Sequence, residues 1–227
     1  MASTEYQDPD RWWDHYGGEY AARSWRSYRH LLAEAILHAE SGPLLDIGCG
    51  LGFLVECARR FGIDAHGLEA STRALEKARQ LHPAANLRGW SAAESLPFES
   101  SSIGICVLNE FVDHIDMSAN RALFTEMTRI LRPRGVVLVK SPSRHNRFDR
   151  DLGHVSFFSP SEFRRFVESF GLRVLTQPFS PQPFLGNSFW GQRAMRVLST
   201  FLPRDLIAAR IDLVATKAGA ETACQDS

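Results

Sequence analysis

Leu44-Leu45-Asp46-Ile47-Gly48-Cys49-Gly50-Leu51-Gly52 sets how this chain is read. Apolar residues run into an acid, glycine then falls at every second position, and an amphipathic run of Phe53, Leu54, Val55, Ala58 and Phe61 follows. The pattern is a strand, a tight turn that brings backbone close to a ligand, and a helix. Glycine at 48, 50 and 52 removes a Cβ that would block the ligand or force a disfavoured φ. Such a turn belongs to a nucleotide-type cofactor site. A dinucleotide turn carries G-x-G-x-x-G, its third glycine allowing close helix–strand packing and its pyrophosphate lying on the helix N-terminus. Here Phe53 takes that third place, and Asp46 would repel a pyrophosphate. A cationic amino-acid cofactor would be held instead, because an acid beside the turn attracts an ammonium group or its water.

The composition bounds what the protein can be. Its 227 residues are 44% hydrophobic, which suits one domain with a full core. Lys+Arg and Asp+Glu stand at 26 each, a balance that argues against nucleic acid as partner, since non-specific binding needs a basic surface. No apolar run reaches the roughly 18 residues of a membrane span. The start, Met1-Ala2-Ser3-Thr4-Glu5-Tyr6, is acidic and polar, unlike a signal peptide. Cys49, Cys57, Cys106 and Cys224 share no metal spacing, and reduced, mostly buried thiols in a cytoplasmic protein are expected.

Strand and helix patterns alternate along the chain. Strands are expected at 43–48, 64–69, 86–90, 103–109, 135–141, 172–179 and 211–217, and helices at 24–39, 51–61, 71–81, 119–131, 160–170 and near 188–200. Ser159-Pro160-Ser161-Glu162 supplies an N-cap, a proline at the first helical position and a glutamate at the third. Phe163, Phe166, Val167 and Phe170 then form one apolar face, and Gly171 ends the helix. Leu123, Met127, Ile130 and Leu131 make a similar face before Pro133 stops their helix. The alternation predicts an α/β fold with a parallel sheet covered on both faces. Residues 1–40, rich in Trp and Tyr, are expected to form an N-terminal helical cap. Residues 41–218 would form the cofactor-binding domain, with a proline- and aromatic-containing insertion at 180–210 before the last strand, and 219–227 a frayed tail.

Further motifs follow the glycine turn. Glu69 ends the second strand 19 residues beyond Gly50, where a carboxylate can accept hydrogen bonds from both hydroxyls of an adenosine ribose. Nicotinamide enzymes use the same device, and the plain alternative is a surface acid capping the helix that starts near Ser71. Trp90-Ser91-Ala92-Ala93-Glu94-Ser95-Leu96-Pro97-Phe98 comes next, then Ile103–Ile115 with Asn109, Glu110 and the pair Asp113-His114, then Arg129-Ile130-Leu131-Arg132-Pro133-Arg134-Gly135. In order and spacing these elements resemble the class I S-adenosylmethionine (SAM) methyltransferases over about residues 40–180. The likeness is to the small-molecule type, of the ubiquinone-biosynthesis-like group.

That resemblance implies a Rossmann-like, doubly wound sheet of seven strands with the last one antiparallel, and SAM as cofactor with S-adenosyl-L-homocysteine (SAH) as product. It also implies that Asp46, Gly48, Cys49, Gly50 and Gly52 form the cofactor loop, with Glu69 and Ala70 at the ribose. Ser91, Ala92, Ala93 and Asn109 would complete the cofactor site. The chain departs from the family at Ala92, where an aspartate often binds the adenine amino group, so Ser91 or backbone N–H groups near Ala93 would read adenine. Arg134 stands where the family has a glycine.

Methyl transfer is an in-line displacement in which the protein positions a nucleophile, excludes water and removes a proton where needed. Histidine is the natural base near neutral pH. His154, in Gly153-His154-Val155-Ser156, falls at the carboxyl edge of the sheet and is the first candidate, against a structural role pinning the loop. His114 is the second, against support of the cofactor loop. Tyr16 and Tyr20 either reach over the cofactor or belong to a hydrophobic cap. Asn109 and Glu110 either line the pocket or cap the following turn. No carboxylates or histidines show metal-ligand spacing, so metal-dependent chemistry is not expected. The expected substrate is a small, largely apolar metabolite, methylated on oxygen ahead of nitrogen or carbon. The competing reading is a SAM-binding protein of the same fold that does not methylate, such as a cyclase, a decarboxylase or a regulatory partner. A nicotinamide oxidoreductase is disfavoured by Phe53 and Asp46. The sequence sets no oligomeric state.

Overall fold

The computed structural model describes residue 10, residues 25–144 and 155–178, residue 205 and residues 208–219. Its strands are β1 (Leu44–Ile47), β2 (Ala65–Glu69), β3 (Asn86–Gly89), β4 (Ile103–Asn109), β5 (Leu131–Pro142), β6 (Leu172–Thr176) and β7 (Arg210–Lys217). Among the described residues the helices are α1 (Trp25–Leu37), α2 (Phe53–Arg60), α3 (Thr72–Leu81), α4 (Met117–Ile130) and α5 (Pro160–Glu168). The strands form one sheet in the order β3-β2-β1-β4-β5-β7-β6. Neighbours from β3 to β5 are parallel, while β7 runs antiparallel to both β5 and β6. This is the doubly wound sheet with one reversed strand that the family resemblance implied.

Burial on both faces explains why the central strands are continuous apolar runs. Leu45, Ile47, Cys106, Leu108, Val137 and Val139 pack into one core with Leu123, Phe124 and Met127 of α4 and Phe163 and Phe166 of α5. Leu44, Ile105, Val107, Val136 and Leu138 pack on the other side with Leu31 and Leu32 of α1, Leu54 and Val55 of α2 and Leu75 of α3. The alternation is the period-two geometry of a strand.

Element ends follow local chemistry. The Ser159 cap is complete: its N–H donates to Glu162 Oε2 at 2.8 Å, and Glu162 N–H donates to Ser159 Oγ at 3.3 Å. The helix expected from 119 starts at Met117, because Asp116 Oδ1 accepts the N–H of Ala119 at 2.8 Å. The helix expected from 51 starts at Phe53, with Gly52 in the left-handed region as its N-cap. The strand expected from 135 starts at Leu131, which pairs with Ile103 ahead of a register shift. Arg134 keeps the left-handed turn (φ 61°) that the family builds with glycine, and its guanidinium pairs with Glu40 at 2.9 Å. Strand β6 stops at Thr176, short of 179. The helix expected near 188–200 lies outside the described residues. Among the described residues no helix is long and apolar enough to cross a membrane.

The order of strands locates the site. The chain passes from β1 outward to β2 and β3, then returns to β4 on the other side of β1. A crevice at the carboxyl ends of β1 and β4 results, the place where open α/β sheets bind ligands.

Candidate cofactor and substrate site

A cavity of about 500 Å³ opens at that crevice. Asp46, Gly48, Cys49 and Gly50 line it from the turn after β1, and Glu69 and Ala70 from the end of β2. Ser91 and Ala92 follow β3, Asn109 ends β4, and His114 follows it into the same space. Gly52 and Ala93 are not in its wall. Gly52 is the N-cap of α2, and Ala93 N–H donates to Ser91 Oγ at 3.4 Å. Tyr16, Tyr20 and His154 lie outside the described residues.

The turn after β1 is shaped by two different demands on glycine. Gly48 has φ 74°, and a Cβ there would stand 2.3 Å from the ring of Phe111. Gly50 has φ 52°, and a Cβ there would meet nothing within 4 Å, so its open side faces the cavity. The first glycine admits a neighbouring side chain, and the second leaves room for a ligand. Phe53, in the place of the third dinucleotide glycine, turns toward α1. Its ring stacks on Tyr28 with centroids 5.4 Å apart and meets Trp25 and His82 edge-on at 5.3 and 4.8 Å. The aromatic helix thus accounts for a bulky residue where a dinucleotide fold needs none.

Two acids face each other across the turn. Glu69 Oε2 accepts the N–H of Gly50 and Oε1 that of Ser71, both at 2.8 Å, so the side chain ties the glycine turn to the start of α3. The Ala70 N–H draws on the same carboxylate, which with about four lone-pair sites keeps capacity for a ligand hydroxyl. Glu69 therefore does meet the helix start, as the plain alternative held, yet it also lines the cavity. Asp46 is 5% exposed, and burial together with the neighbouring Glu69 charge pushes its carboxyl up to about 7. Burial pushes Glu69 up as well, against the N–H groups that pull it down. The same burial and the two acids raise the Cys49 thiol well above its usual range. An acid pair so placed is relieved by a cation and repels a pyrophosphate.

The opposite wall is a loop held from behind. Phe111, His114, Ile115 and Asp116 face the cavity, as does Val155 from the segment before α5. Fully buried Asn120 donates through Nδ2 to the carbonyls of Val112 at 2.8 Å and Ile115 at 3.1 Å. Ser156 Oγ donates to Ile115 O at 2.6 Å, and the N–H groups of Val155 and Ser156 donate to Asp113 O at 2.8 and 3.1 Å. Ser141 Oγ donates to Asp113 Oδ1 at 3.0 Å, and Asp113 Oδ2 stands 3.5 Å from His114 Nε2. Glu110 lines the cavity in the left-handed region (φ 56°), its N–H donating to Lys140 O at 2.7 Å and its carboxylate receiving Arg210. Among the described residues no group of three His, Cys, Asp or Glu side chains is arranged to hold a metal ion.

Several wall residues escaped the sequence reading. Tyr28 and Leu31 of α1 and Phe111 of the loop face the cavity, though only their apolar character marked them. Asp10 was missed altogether: its carboxylate accepts hydrogen bonds from Ser71, Thr72 and Arg73 at the start of α3, a pairing no local spacing announces.

Comparison with known proteins agrees with this geometry. A family model described as a methyltransferase domain matches residues 18–177. A probable S-adenosylmethionine-dependent methyltransferase of Mycolicibacterium smegmatis is 28% identical over 125 residues, 53% of this chain and 46% of that protein. The chain thus spans less than half of that relative's length. A ubiquinone biosynthesis O-methyltransferase of Cupriavidus pinatubonensis is 25% identical over 187 residues, 72% of this chain and 73% of that one. Among solved structures, a SAM-dependent methyltransferase from Archaeoglobus fulgidus superposes with a TM-score of 0.66 at 19% identity, covering 86% of this chain and 95% of that one. The family model runs across the glycine turn, the acid pair and the return strand alike, and the chain accordingly belongs to the class I SAM-dependent methyltransferases, with S-adenosyl-L-methionine as its cofactor.

Proposed function

We propose that this enzyme methylates an oxygen, ahead of nitrogen or carbon, of a small and largely apolar metabolite and releases SAH. The observation that carries the reading is the continuity of the cavity. It runs from the glycine turn and its acids to a wall of Phe111, Ile115, Leu31 and Val155, with His114 within it. The similarity to a ubiquinone biosynthesis O-methyltransferase supports oxygen as the acceptor atom.

The bound cofactor supplies an activated methyl group on a sulfonium. Around it, Asp46 would take the amino group or its water, and the backbone at Gly48, Cys49 and Gly50 would lie against the amino-acid moiety. Glu69, beside Ala70, would accept both ribose hydroxyls, while Ser91 and Ala92 would border adenine and Asn109 the reacting end. Gly52 would contribute through the shape of the turn and Ala93 through the hold of Ser91. Tyr16 and Tyr20 would cover the cofactor from the N-terminal segment. The wall opposite the glycine turn would hold the acceptor hydroxyl against that methyl group and keep water out. The hydroxyl proton would pass to a histidine of this chain, a contribution of about 10²–10⁴-fold when the base is in place. His154, next to Val155 in the sequence, is the first candidate. His114 is the second, with Asp113 placed to steady the charge its ring would gain. The free, buried thiols of Cys49, Cys57 and Cys106 support a reducing, cytoplasmic location.

Calorimetric titration with SAM, SAH and NAD is the first test, expected to show binding of SAM and SAH alone. A panel of apolar hydroxyl compounds is then incubated with SAM and read by a mass gain of one methyl and by SAH release. His154→Ala should keep SAM affinity and lose turnover, and His114→Ala should do so less. Tight SAM binding with no SAH formed from any acceptor would favour the non-methylating reading.

A further inference from the structure

We infer that Asp10 is a positioning residue for the cofactor: acting through Ser71, it sets the Glu69 carboxylate that grips the ribose. The inference rests on the ribose role of Glu69. It starts from the donors at the first turn of α3. Such a turn leaves backbone N–H groups without partners inside the helix. Ser71 Oγ takes the N–H of Ala74 at 3.0 Å, as an N-cap does. Three further donors of this turn converge on one carboxylate from far away in the sequence. Asp10 Oδ1 accepts Ser71 Oγ at 2.6 Å and the N–H of Arg73 at 3.1 Å, and Oδ2 accepts Thr72 Oγ1 at 2.7 Å. The Ser71 and Thr72 hydroxyls hold Asp10 below the usual carboxylate range, so it is ionised wherever the protein is folded near neutral pH.

Ser71 is the shared element. Its hydroxyl hydrogen is committed to Asp10, its hydroxyl lone pair to Ala74 and its backbone N–H to Glu69 Oε1 at 2.8 Å. Glu69 Oε2 takes the N–H of Gly50 at 2.8 Å. A single chain of hydrogen bonds therefore runs from Asp10 through Ser71 and Glu69 to the glycine turn, and both Ser71 and Glu69 line the cavity. Without Asp10 the Ser71 hydroxyl hydrogen is released beside Glu69 and can occupy the lone pairs meant for the ribose. The N–H of Arg73 and the hydroxyl of Thr72 lose their acceptor, and the start of α3 is free to shift. A carboxylate 61 residues before Ser71 thus governs the grip on the nucleoside. A tether that only stabilises the fold would leave affinity untouched, and that difference makes the test.

The experiment is calorimetric titration of the full chain with SAH, using wild type, Asp10→Ala, Glu69→Gln and the double variant, with thermal melts alongside. Asp10→Ala should weaken SAH binding about tenfold, within the range for groups sharing one hydrogen-bond network. Glu69→Gln should weaken it more, and the double variant should bind no worse than Glu69→Gln alone. Asp10→Glu, which keeps the charge, should recover part of the loss. Wild-type affinity in Asp10→Ala, or a loss that adds in full to that of Glu69→Gln, would overturn the role of Asp10 and leave the ribose role standing. Wild-type affinity in Glu69→Gln would overturn the ribose role and the inference with it. Should Asp10→Ala fail to fold, Asp10→Asn carries the same comparison.

Discussion

Around Gly48–Gly50 the cavity wall is backbone, whereas around Phe111–Asp116 it is a loop held in place by the side chains of Asn120, Ser141 and Ser156. The first wall works through left-handed φ angles and N–H groups, which few residue types permit. The second works through buried polar anchors reaching from α4, β5 and the segment before α5. In the proposed reading the first wall would meet the cofactor, which is the same for every member of the family. The second would meet the acceptor, and its facing residues could change as long as the anchors behind them persist. Substitutions on the two walls should therefore separate binding of the cofactor from turnover of the acceptor.

The largest effect should fall on the fold itself. Gly48→Ala puts a methyl into the Phe111 ring at a left-handed φ, two penalties that together cost about 3 kcal/mol. Chemical denaturation should show the loss. Because Phe111 belongs to the opposite wall, this one substitution should impair both cofactor binding and turnover.

Asn120→Ala should come next, at about 2 kcal/mol, since it removes a buried donor from the carbonyls of Val112 and Ile115. Here the expected split is clear. SAH affinity by calorimetry should stay at the wild-type level while turnover drops, because the loop bearing His114 loses its anchor and the glycine turn does not. A parallel fall in SAH affinity would mean that the two walls are one cooperative unit.

Gly50→Ala should show the reverse. Its Cβ meets no protein atom, so only the left-handed φ is charged to the fold, about 1 kcal/mol. The added methyl points into the cavity proposed for the cofactor, and SAH should bind at least about tenfold more weakly, a difference of roughly 1.4 kcal/mol. Gly48 and Gly50, two residues apart, would then be needed for different reasons.

The same contrast decides how much could be read before the structure. The glycine turn, Asp46 and Glu69 stood out because backbone conformation and charge narrow the choice of residue. The Ser159–Glu162 cap stood out because both halves of the motif lie within one turn of helix. The reversed strand β7 has no local signature and followed from the family likeness. The early start of β5 was hidden because Pro133 and Arg134 read as a turn, while the pairing of Leu131 with Ile103 is set across the sheet. Asn120, Ser156 and Asp10 were invisible for one physical reason. A buried polar anchor is defined by partners far along the chain, and short polar residues on a helix or loop look alike until those partners are in place.

The smallest effect concerns pH, and it sets the cofactor wall against its own stability. In the free protein the Asp46 carboxyl sits at about 7, raised by burial and by the Glu69 charge from a reference of 3.8. An acid raised on folding favours the folded state most when it is protonated. Its contribution to stability is full below the unfolded value and is lost as pH climbs toward 7. In the role proposed for Asp46, the ammonium of the cofactor would prefer the ionised form and pull the proton off. Affinity for SAH should therefore rise with pH over the same region where the free protein loses this contribution. Between pH 8 and pH 6 the ionised fraction of a group titrating near 7 falls about tenfold, which bounds the change in affinity. Titrations at several pH values in buffers of different ionisation heat should show proton release on binding below pH 7. In Asp46→Asn the proton release should vanish, with weaker binding at every pH. The Gly50→Ala variant, altered in shape but not in charge, should keep the wild-type pH slope at its lower affinity. If that slope survives in Asp46→Asn instead, the titrating group is Glu69, and the acid at the end of β1 is not the one that senses the cation.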